Sequence, residues 1–263
     1  MRIKAHQRII REKKGEEEGH NLFGEYWEDL DLSPSKAVAK VVGWDEAKYI
    51  IEEYEWLGTM PTGGFLNVGL YIDGVLAGVE CFNNVKAGSY YSYLNEPATL
   101  LARGACVHWA PKWANSFLVS KALKELEKYY DGEPRYVIAY SDWEAGEIGT
   151  IYQATNWTYV GHKNRPEWRS PDGKRYDPAY HRLVALKKDP EYEEKKKVNP
   201  DIVKREKERM LKEGWYMSKT MRGTYITVIG YKGKRKKELQ KKIAPLAKPY
   251  PKQHVIDGEK YEA

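Results

Sequence analysis

The stretch FLNVGLYIDGVLAGVECF, at residues 65–82, places the strongest constraint on the fold. Two runs rich in β-branched and aromatic residues flank the dipeptide Asp73-Gly74. Asp-Gly favours a two-residue type I′ turn, because both of its residues adopt positive φ with little strain. The stretch therefore predicts a β-hairpin, and any fold of this chain must contain two antiparallel strands here.

Strands and helices alternate on either side of this hairpin. Asp45 is predicted to cap the first helix and Asn115 the long helix, whose buried stripe is Leu118, Ala122, Leu126 and Tyr129. The other predicted elements are a strand at 37–42, a helix at 46–57, a strand at 99–109, a helix at 115–130, a strand at 134–140, a short helix and a strand within 146–161, strands at 181–187 and 222–231, and a basic helix at 232–243.

This order predicts an α/β (α+β) fold, a mixed twisted sheet with helices on both faces and a basic C-terminal extension. We expect a charged N-terminal extension at 1–35, a core at 36–190, and a basic region at 191–263 that packs on the core. No apolar run spans a bilayer, and no secretory signal begins the chain. The two cysteines, Cys81 and Cys106, are too few for a disulfide framework, so we expect a cytoplasmic protein without membrane association.

Two predicted strands, LLARGACVHW and YVIAYSD, each lead into a helix. In open α/β sheets, ligands bind where neighbouring strands diverge at their C-terminal ends. The helix that starts near Asn115 offers free backbone N–H groups, and the small residues Ala114 and Ser116 let a pyrophosphate approach them. Neither a G-x-G-x-x-G motif nor a Walker lysine is present, so these features also fit an ordinary helix start.

Three segments resemble the GNAT superfamily of acyl-CoA-dependent acyltransferases: YIDGVLAGVECF, RGACVHWAPKWANSFLVSKALKEL and TIYQATNWTYVG. More narrowly, four segments are similar to its Mom-like branch, known from phages and phage-derived genes: YEWLGTMP, RGACVHWA, YSDWEAGEIGTIYQATNWTYVG and YITVIGYKGKRKKELQKKIAPLAKPYPK. The founding member of that branch converts the N6 amine of adenine in DNA to a methylcarbamoyl-type group, which protects viral DNA from restriction. The resemblance covers most of residues 37–163 and then 222–252.

The resemblance implies an acyl donor such as acetyl-CoA. Tyr152 would lie near the thioester sulfur, where its phenol can donate a proton to the thiolate or hold the sulfur; the alternative is a core tyrosine. Gly149 would tighten the backbone where the helix begins, and Trp157 would fill the core. The residues expected to bind the donor are Cys106, His108, Lys112, Ala114, Asn115, Ser116, Tyr152 and Asn156.

Three charged side chains are further candidates for catalysis. Asp142 can orient or deprotonate an exocyclic amine, or cap the next helix, with Glu144 and Glu147 as second choices. Arg103 can clamp a CoA phosphate or an acyl carboxyl group, or form an internal ion pair, for example with an acid of the Asp142 loop. Glu55 stands where several Mom-like proteins carry a histidine, so it either replaces that base or the chemistry differs.

Cys106 and His108 share one face of a strand, and with Cys81 they could bind iron, to which some Mom-like proteins are linked. The spacing matches no metal motif, so a buried thiol and a hydrogen-bonded imidazole are expected instead.

The expected partner is double-stranded DNA, with the oligomeric state open, a homodimer included. An adenine flipped out of the duplex would stack on Tyr90 and Tyr91 of the GSYYSY loop. The residues expected to contact backbone phosphates are Lys232, Lys234, Arg235, Lys236 and Lys237. The alternative functions are acyl transfer to a protein, tRNA or small amine, and nucleic-acid binding without catalysis.

Overall fold

A computed structural model describes residues 5–18, 29–61, 63–84, 94–173, 200–231 and 233–252. The helices in these ranges are α1 (His6–Glu18), α2 (Trp44–Tyr54), α3 (Ala114–Tyr129), α4 (Thr150–Ala154), α5 (Pro200–Lys212) and α6 (Lys234–Ile243). The strands are β1 (Ala37–Val41), β2 (Gly64–Ile72), β3 (Val75–Asn84), β4 (Ala98–Cys106), β5 (Arg135–Asp142), β6 (Thr158–Arg169) and β7 (Tyr216–Ile229).

The strands form one mixed sheet in the order β1-β2-β3-β4-β5-β7-β6. The predicted hairpin is confirmed: β2 pairs antiparallel with β3, and Asp73 and Gly74 have φ of 48° and 85° in the turn. The sheet is antiparallel from β1 to β4 and again between β5 and β7, whereas β4 and β5 are parallel. The predicted fold class, a mixed sheet with helices packed against it, is confirmed.

The parallel pair β4–β5 splits before either strand ends. Backbone pairing runs only from Ala98 and Tyr136 to Leu101 and Ala139, although β4 continues to Cys106 and β5 to Asp142. The strands that the sequence analysis singled out therefore diverge at their C-terminal ends, and we call the space between them the split.

Helices α2 and α3 both pack against strands β2, β3 and β4. Helix α3 buries three of the four residues of the predicted stripe, Leu118, Ala122 and Leu126, together with Ala114 and Val119. Tyr129 is 52% exposed, because it stands in the last turn, beyond the edge of the packed surface. The periodicity therefore located the helix and misplaced only its end.

Both predicted caps are wrong. Helix α2 begins after Gly43, whose N–H donates to the carboxylate of Glu46, so Glu46 and not Asp45 satisfies the helix start. Helix α3 begins after Trp113, which makes no side-chain cap, and Asn115 already lies in the first turn. The hydroxyl of Ser116 instead donates back to the carbonyl of Trp113.

The chain forms two compact units, one of Met1–Lys163 with Arg222–Glu262 and one of Asn164–Met221. The predicted regions 36–190 and 191–263 each supply residues to both units. The predicted strand at 181–187 lies outside the described residues. In the ranges that the structure describes, no helix has the length and apolar character needed to cross a membrane.

Helix α1 stands in the region expected to be a charged extension. Its Gln7 amide donates to the carbonyl of Gly104 on β4 at 2.7 Å, and the N–H of His6 donates to the carbonyl of Ala145 after β5 at 2.8 Å. Arg11 donates to the carbonyl oxygens of His108 and Ala110. Helix α1 thus bonds to backbone on both sides of the split.

Candidate active site

Tyr152 stands on α4, the short helix that follows β5 and the loop after it. Its ring lies 5.1 Å from the rings of both Trp157 and Tyr225, and the residue as a whole is only partly buried. Its hydroxyl forms no hydrogen bond with any described residue, which leaves its donor capacity for a ligand. Trp157 is fully buried, as expected.

The residue before α4 and one residue within it hold this helix in place. Gly149 has φ of 78°, and a Cβ there would lie 2.3 Å from the Tyr225 ring, so only glycine fits. The amide of Gln153 donates to the carbonyl of Ile148 at 3.3 Å, to the hydroxyl of Tyr225 at 3.1 Å and to the carbonyl of Pro251 at 3.4 Å. The glycine role predicted for position 149 is thereby confirmed.

Burial raises the pKa of Tyr152 well above its ordinary value, and the nearby Glu80, Glu147, Tyr225 and Glu55 raise it further. A phenol in such surroundings stays protonated at neutral pH. The protonated hydroxyl is able to donate a hydrogen bond to a ligand atom.

Asp142 has structural partners. One carboxylate oxygen accepts the N–H of Glu144 at 3.2 Å, and the other lies 3.5 Å from Nε of Arg222, its cross-strand neighbour on β7. This carboxylate therefore fixes the start of the β5–α4 loop. It does not cap α4, because that helix begins after Gly149, so the capping alternative is wrong.

Glu55 and Arg103 pair with each other. Nε of Arg103 lies 3.9 Å from Oε2 of Glu55, and the guanidinium donates to the carbonyls of Thr59 and Ala102 at 3.0 and 2.8 Å. Glu55 also accepts the N–H groups of Leu57 and Gly58 at 2.8 and 3.2 Å. The structure therefore contains the internal ion pair that was one of the two alternatives for Arg103, with Glu55 at the end of α2 as a partner.

Glu80 is the candidate that the sequence analysis missed. It is 4% exposed on β3, and its cross-strand partner on β4 is Gly104. A Cβ at Gly104 would lie 2.1 Å from Oε2 of Glu80, so the carboxyl lies flat over the β4 backbone next to the split. Burial raises the pKa of Glu80 well above its ordinary value. The only sequence signal is one glutamate inside the apolar run GVECF.

Glu147, a second choice in the sequence analysis, lies in the loop between β5 and α4. Burial, with smaller effects of Glu55 and Asp142, raises its pKa to about 8. A carboxyl with a pKa near the pH of the cell is well suited to exchange protons. Glu80 and Glu147 both raise the pKa of Tyr152, so the three groups lie in one region beside the split.

The start of α3 contains several of the residues expected to bind the donor. Among the described residues, the N–H groups of Asn115 and Ser116 have no backbone acceptor. Ala114 is fully buried and its N–H donates to the carbonyl of Pro111 at 3.0 Å, so this residue, expected to bind the donor, is not accessible to it. Lys112 is exposed just before the helix. Asn156 has φ of 60° and forms the turn after α4, which accounts for it without a ligand.

Cys106 and His108 are engaged within the fold. Burial raises the pKa of Cys106 to about 12, and the same effect acts on Cys81. Nδ1 of His108 lies 3.1 Å from the Tyr54 hydroxyl. The described part of the chain contains no cluster of three or more histidine, cysteine or acidic residues able to hold a metal ion, so the residues present do not fit an iron site.

The residues of helix α6 that were expected to contact phosphates fall into two groups. Arg235, together with Lys242, pairs with the buried Glu96, and Lys236 donates to the carbonyl of Gly230 at 2.8 Å. These two expected contacts therefore help to hold α6 on the core. Lys234 and Lys237 are exposed, and Lys241 continues the same face of the helix. The remaining expected contacts, Tyr90, Tyr91 and Lys232, lie outside the described residues.

Comparison with solved structures finds several acyltransferases. The ribosomal-protein-S18-alanine N-acetyltransferase from Escherichia coli is 12% identical, with a TM-score of 0.38, over 75% of this chain and 97% of that one. An N-acetyltransferase from Staphylococcus aureus Mu50 is 12% identical, with a TM-score of 0.38, over 73% and 97%. FeeM, an N-acyl amino acid synthase from uncultured soil microbes, is 17% identical, with a TM-score of 0.35, over 48% and 80%.

No curated protein sequence is significantly similar to the chain. The model of the Mom protein family matches residues 37–252, which include every strand of the sheet and the whole of the split. The chain belongs to the Mom protein family.

Proposed function

We propose that the protein is an acyltransferase that moves an acyl group from a CoA thioester to an amine of DNA, the N6 amine of adenine. The observation that carries the proposal is the split of the parallel pair β4–β5, with the unpartnered hydroxyl of Tyr152 beside it. Membership of the Mom family supports DNA as the acceptor.

The residues present fit a CoA thioester. The N–H groups of Asn115 and Ser116 at the start of α3 suit a pyrophosphate, because they carry the positive end of the helix dipole. When bound, the thioester supplies an activated acyl carbonyl. The hydroxyl of Tyr152 then donates a hydrogen bond to the sulfur and holds it in place.

Proton transfer from the amine requires a base beside the split. Asp142 and Glu55 are held by Arg222 and Arg103 and by backbone N–H groups. Glu147 is the better base, since its raised pKa of about 8 gives its carboxylate a stronger pull on the proton. Direct attack of the amine needs no covalent intermediate on the enzyme.

Binding to DNA is supported by the exposed lysines of α6. Lys234, Lys237 and Lys241 follow one face of the helix, and such a row neutralises backbone phosphates and releases their counterions. Arg235 and Lys242 meanwhile tie α6 to Glu96. The helix is thus anchored on one side and basic on the other.

Mass spectrometry of nucleosides tests the proposal. Purified protein is incubated with acetyl-CoA and unmodified duplex DNA, and separately the protein is expressed in a host whose DNA is then digested. We expect a deoxyadenosine whose mass is raised by an acyl or carbamoyl-type group. The Tyr152→Phe variant, which keeps the ring and loses the hydroxyl, should form at least about tenfold less of it.

Titration calorimetry with CoA and with duplex DNA separates the alternatives. Binding of CoA without DNA would contradict a DNA acceptor and favour a protein or small-amine acceptor. Binding of DNA without CoA would contradict acyl transfer and favour a nucleic-acid-binding protein without catalysis.

A further inference from the structure

The carboxyl of Glu80 lies in an unusual position for an acidic side chain. It is buried in the middle of β3, which is an interior strand of the seven-stranded sheet formed by the described residues. The three atoms nearest to a Cβ built on Gly104 are Oε2, Cδ and Oε1 of Glu80, at 2.1, 2.4 and 2.5 Å. The absent side chain at position 104 therefore provides the space that this carboxyl occupies.

The position over Gly104 brings the carboxyl to the split. Backbone pairing between β4 and β5 ends at Leu101, so Gly104 belongs to the part of β4 that β5 no longer covers. Tyr152 on α4 and Glu147 in the loop before it lie on the far side of the split. Glu147 and Glu80 each raise the pKa of Tyr152 electrostatically. Acidic groups thus approach the split from both sides.

The burial of the Glu80 carboxyl is not explained by a structural partner among the described residues. It forms no hydrogen bond or ion pair with a described residue, whereas the buried Glu96 pairs with Arg235 and Lys242. Burial alone raises the pKa of Glu80. The charged groups that act together with Glu80 on the neighbouring Cys81, Cys106 and Tyr152 are Glu55 and Arg103, which pair with each other, Arg11 on α1, and Glu147. An unpartnered buried carboxyl opposes folding, and residues of this kind concentrate at functional sites.

We propose that Glu80 is the general acid of the acyl transfer, giving its proton to the sulfur of the departing CoA. This inference rests on the proposed function. As the amine attacks, the C–N bond forms and the C–S bond breaks, the nitrogen loses one proton and the sulfur gains one. Glu80 supplies the proton to sulfur, Glu147 takes the proton from nitrogen, and exchange with water restores both carboxyls.

The protonation state of Glu80 can be measured without any substrate. The infrared difference spectrum of wild type minus Glu80→Gln should show the carbonyl band of an un-ionised carboxyl at neutral pH. The matched control is Glu46→Gln, because Glu46 is a carboxylate on the first turn of α2 with the Tyr71 hydroxyl as donor. A spectrum in which Glu80→Gln removes only a carboxylate band would overturn the proposal.

Kinetics test the role in transfer. Glu80→Gln keeps the shape of the side chain but cannot give up a proton, so kcat should fall by about 100-fold with little change in KM for the donor. Wild-type activity should decline at high pH as Glu80 ionises, and this decline should be absent from Glu80→Gln. Glu46→Gln should keep the wild-type rate and pH profile.

The glycine offers an independent check that leaves the carboxyl in place. Gly104→Ala should lower kcat in wild type, because the new methyl group displaces the carboxyl. In a Glu80→Ala background the same change should have little further effect, since no carboxyl remains to be displaced. Equal effects of Gly104→Ala in both backgrounds would contradict the proposed position.

The outcomes separate this inference from the function on which it rests. Wild-type protein that transfers no acyl group overturns the proposed function, and the catalytic role of Glu80 with it. Wild-type protein that is active while Glu80→Gln keeps full activity and an unchanged pH profile overturns the inference alone.

Discussion

Three acidic side chains define the site at the scale of single residues. Tyr152, Glu80 and Glu147 all have raised pKa values, mainly through burial. Glu80 is buried and the other two are partly buried, and the raised pKa values favour the un-ionised form of each, so the cluster is largely neutral at neutral pH. A neutral cluster holds the protons that acyl transfer must move.

The pH dependence of the reaction depends first on Glu147. Its carboxylate form increases as the pH rises through about 8, so wild-type kcat should rise over the same range. Glu147→Gln should lower kcat by about 100-fold and remove this rise. A variant with the wild-type rise would show that another group is the base.

Gly149 should tolerate no side chain. Gly149→Ala places a Cβ against the Tyr225 ring and forces a residue with φ of 78° into a strained conformation. The free energy of unfolding should fall by about 1–3 kcal/mol, as measured by urea denaturation. Gly173→Ala is the control: φ is 81° but nothing lies within 4 Å, so its loss should be smaller. Equal losses would contradict the role of the Tyr225 contact.

At the scale of elements, the features that depend on residues close in sequence could be predicted, whereas those that depend on contacts between distant residues could not. The Asp73-Gly74 turn and the apolar stripe of α3 are encoded by neighbours in sequence, and both were predicted. The pairing of Asp142 with Arg222 depends on β7 lying beside β5, which no local pattern reveals. Glu80 was missed for the same reason, because its meaning depends on Gly104 of the next strand.

Helix α6 has one anchored and one basic face, and the two should respond differently to substitution. Replacing Lys234, Lys237 and Lys241 by alanine should weaken DNA binding. The slope of log K against the logarithm of the salt concentration should become shallower by about one for each phosphate that is no longer neutralised. Folding should be little changed, since all three side chains are exposed.

The control for this triple variant is Arg235→Ala, which removes a partner of the buried Glu96 and should lower thermal stability. Filter binding at several salt concentrations and thermal unfolding give both readouts. A triple variant with unchanged salt dependence would contradict a role of α6 in DNA binding.

For the whole molecule, the buried carboxyls link stability to pH. A carboxyl whose pKa is higher in the folded state stabilises the fold fully below its ordinary pKa, and this contribution is lost as the pH rises through the folded value. For Glu147 the window runs from 4.5 to about 8, and Glu80 acts in the same direction. The free energy of unfolding should therefore fall as the pH rises over this range, because these two carboxyls ionise in the folded protein.

The double variant Glu80→Gln/Glu147→Gln should remove this dependence. It should be more stable than wild type at pH of about 8, and the difference should shrink as the pH falls toward 4.5. Urea denaturation across this range measures it. If the difference in stability between the double variant and wild type stays constant with pH, folding does not raise the pKa of either carboxyl.

The central claim is that the donor binds in the split between β4 and β5, and amide hydrogen exchange measures this directly. The amides of residues 102–106 and 140–142 that do not already donate to β3 or β7 should become protected when CoA is added, together with those of Asn115 and Ser116. Protection confined to other parts of the chain, with these amides unchanged at saturating CoA, would contradict the account.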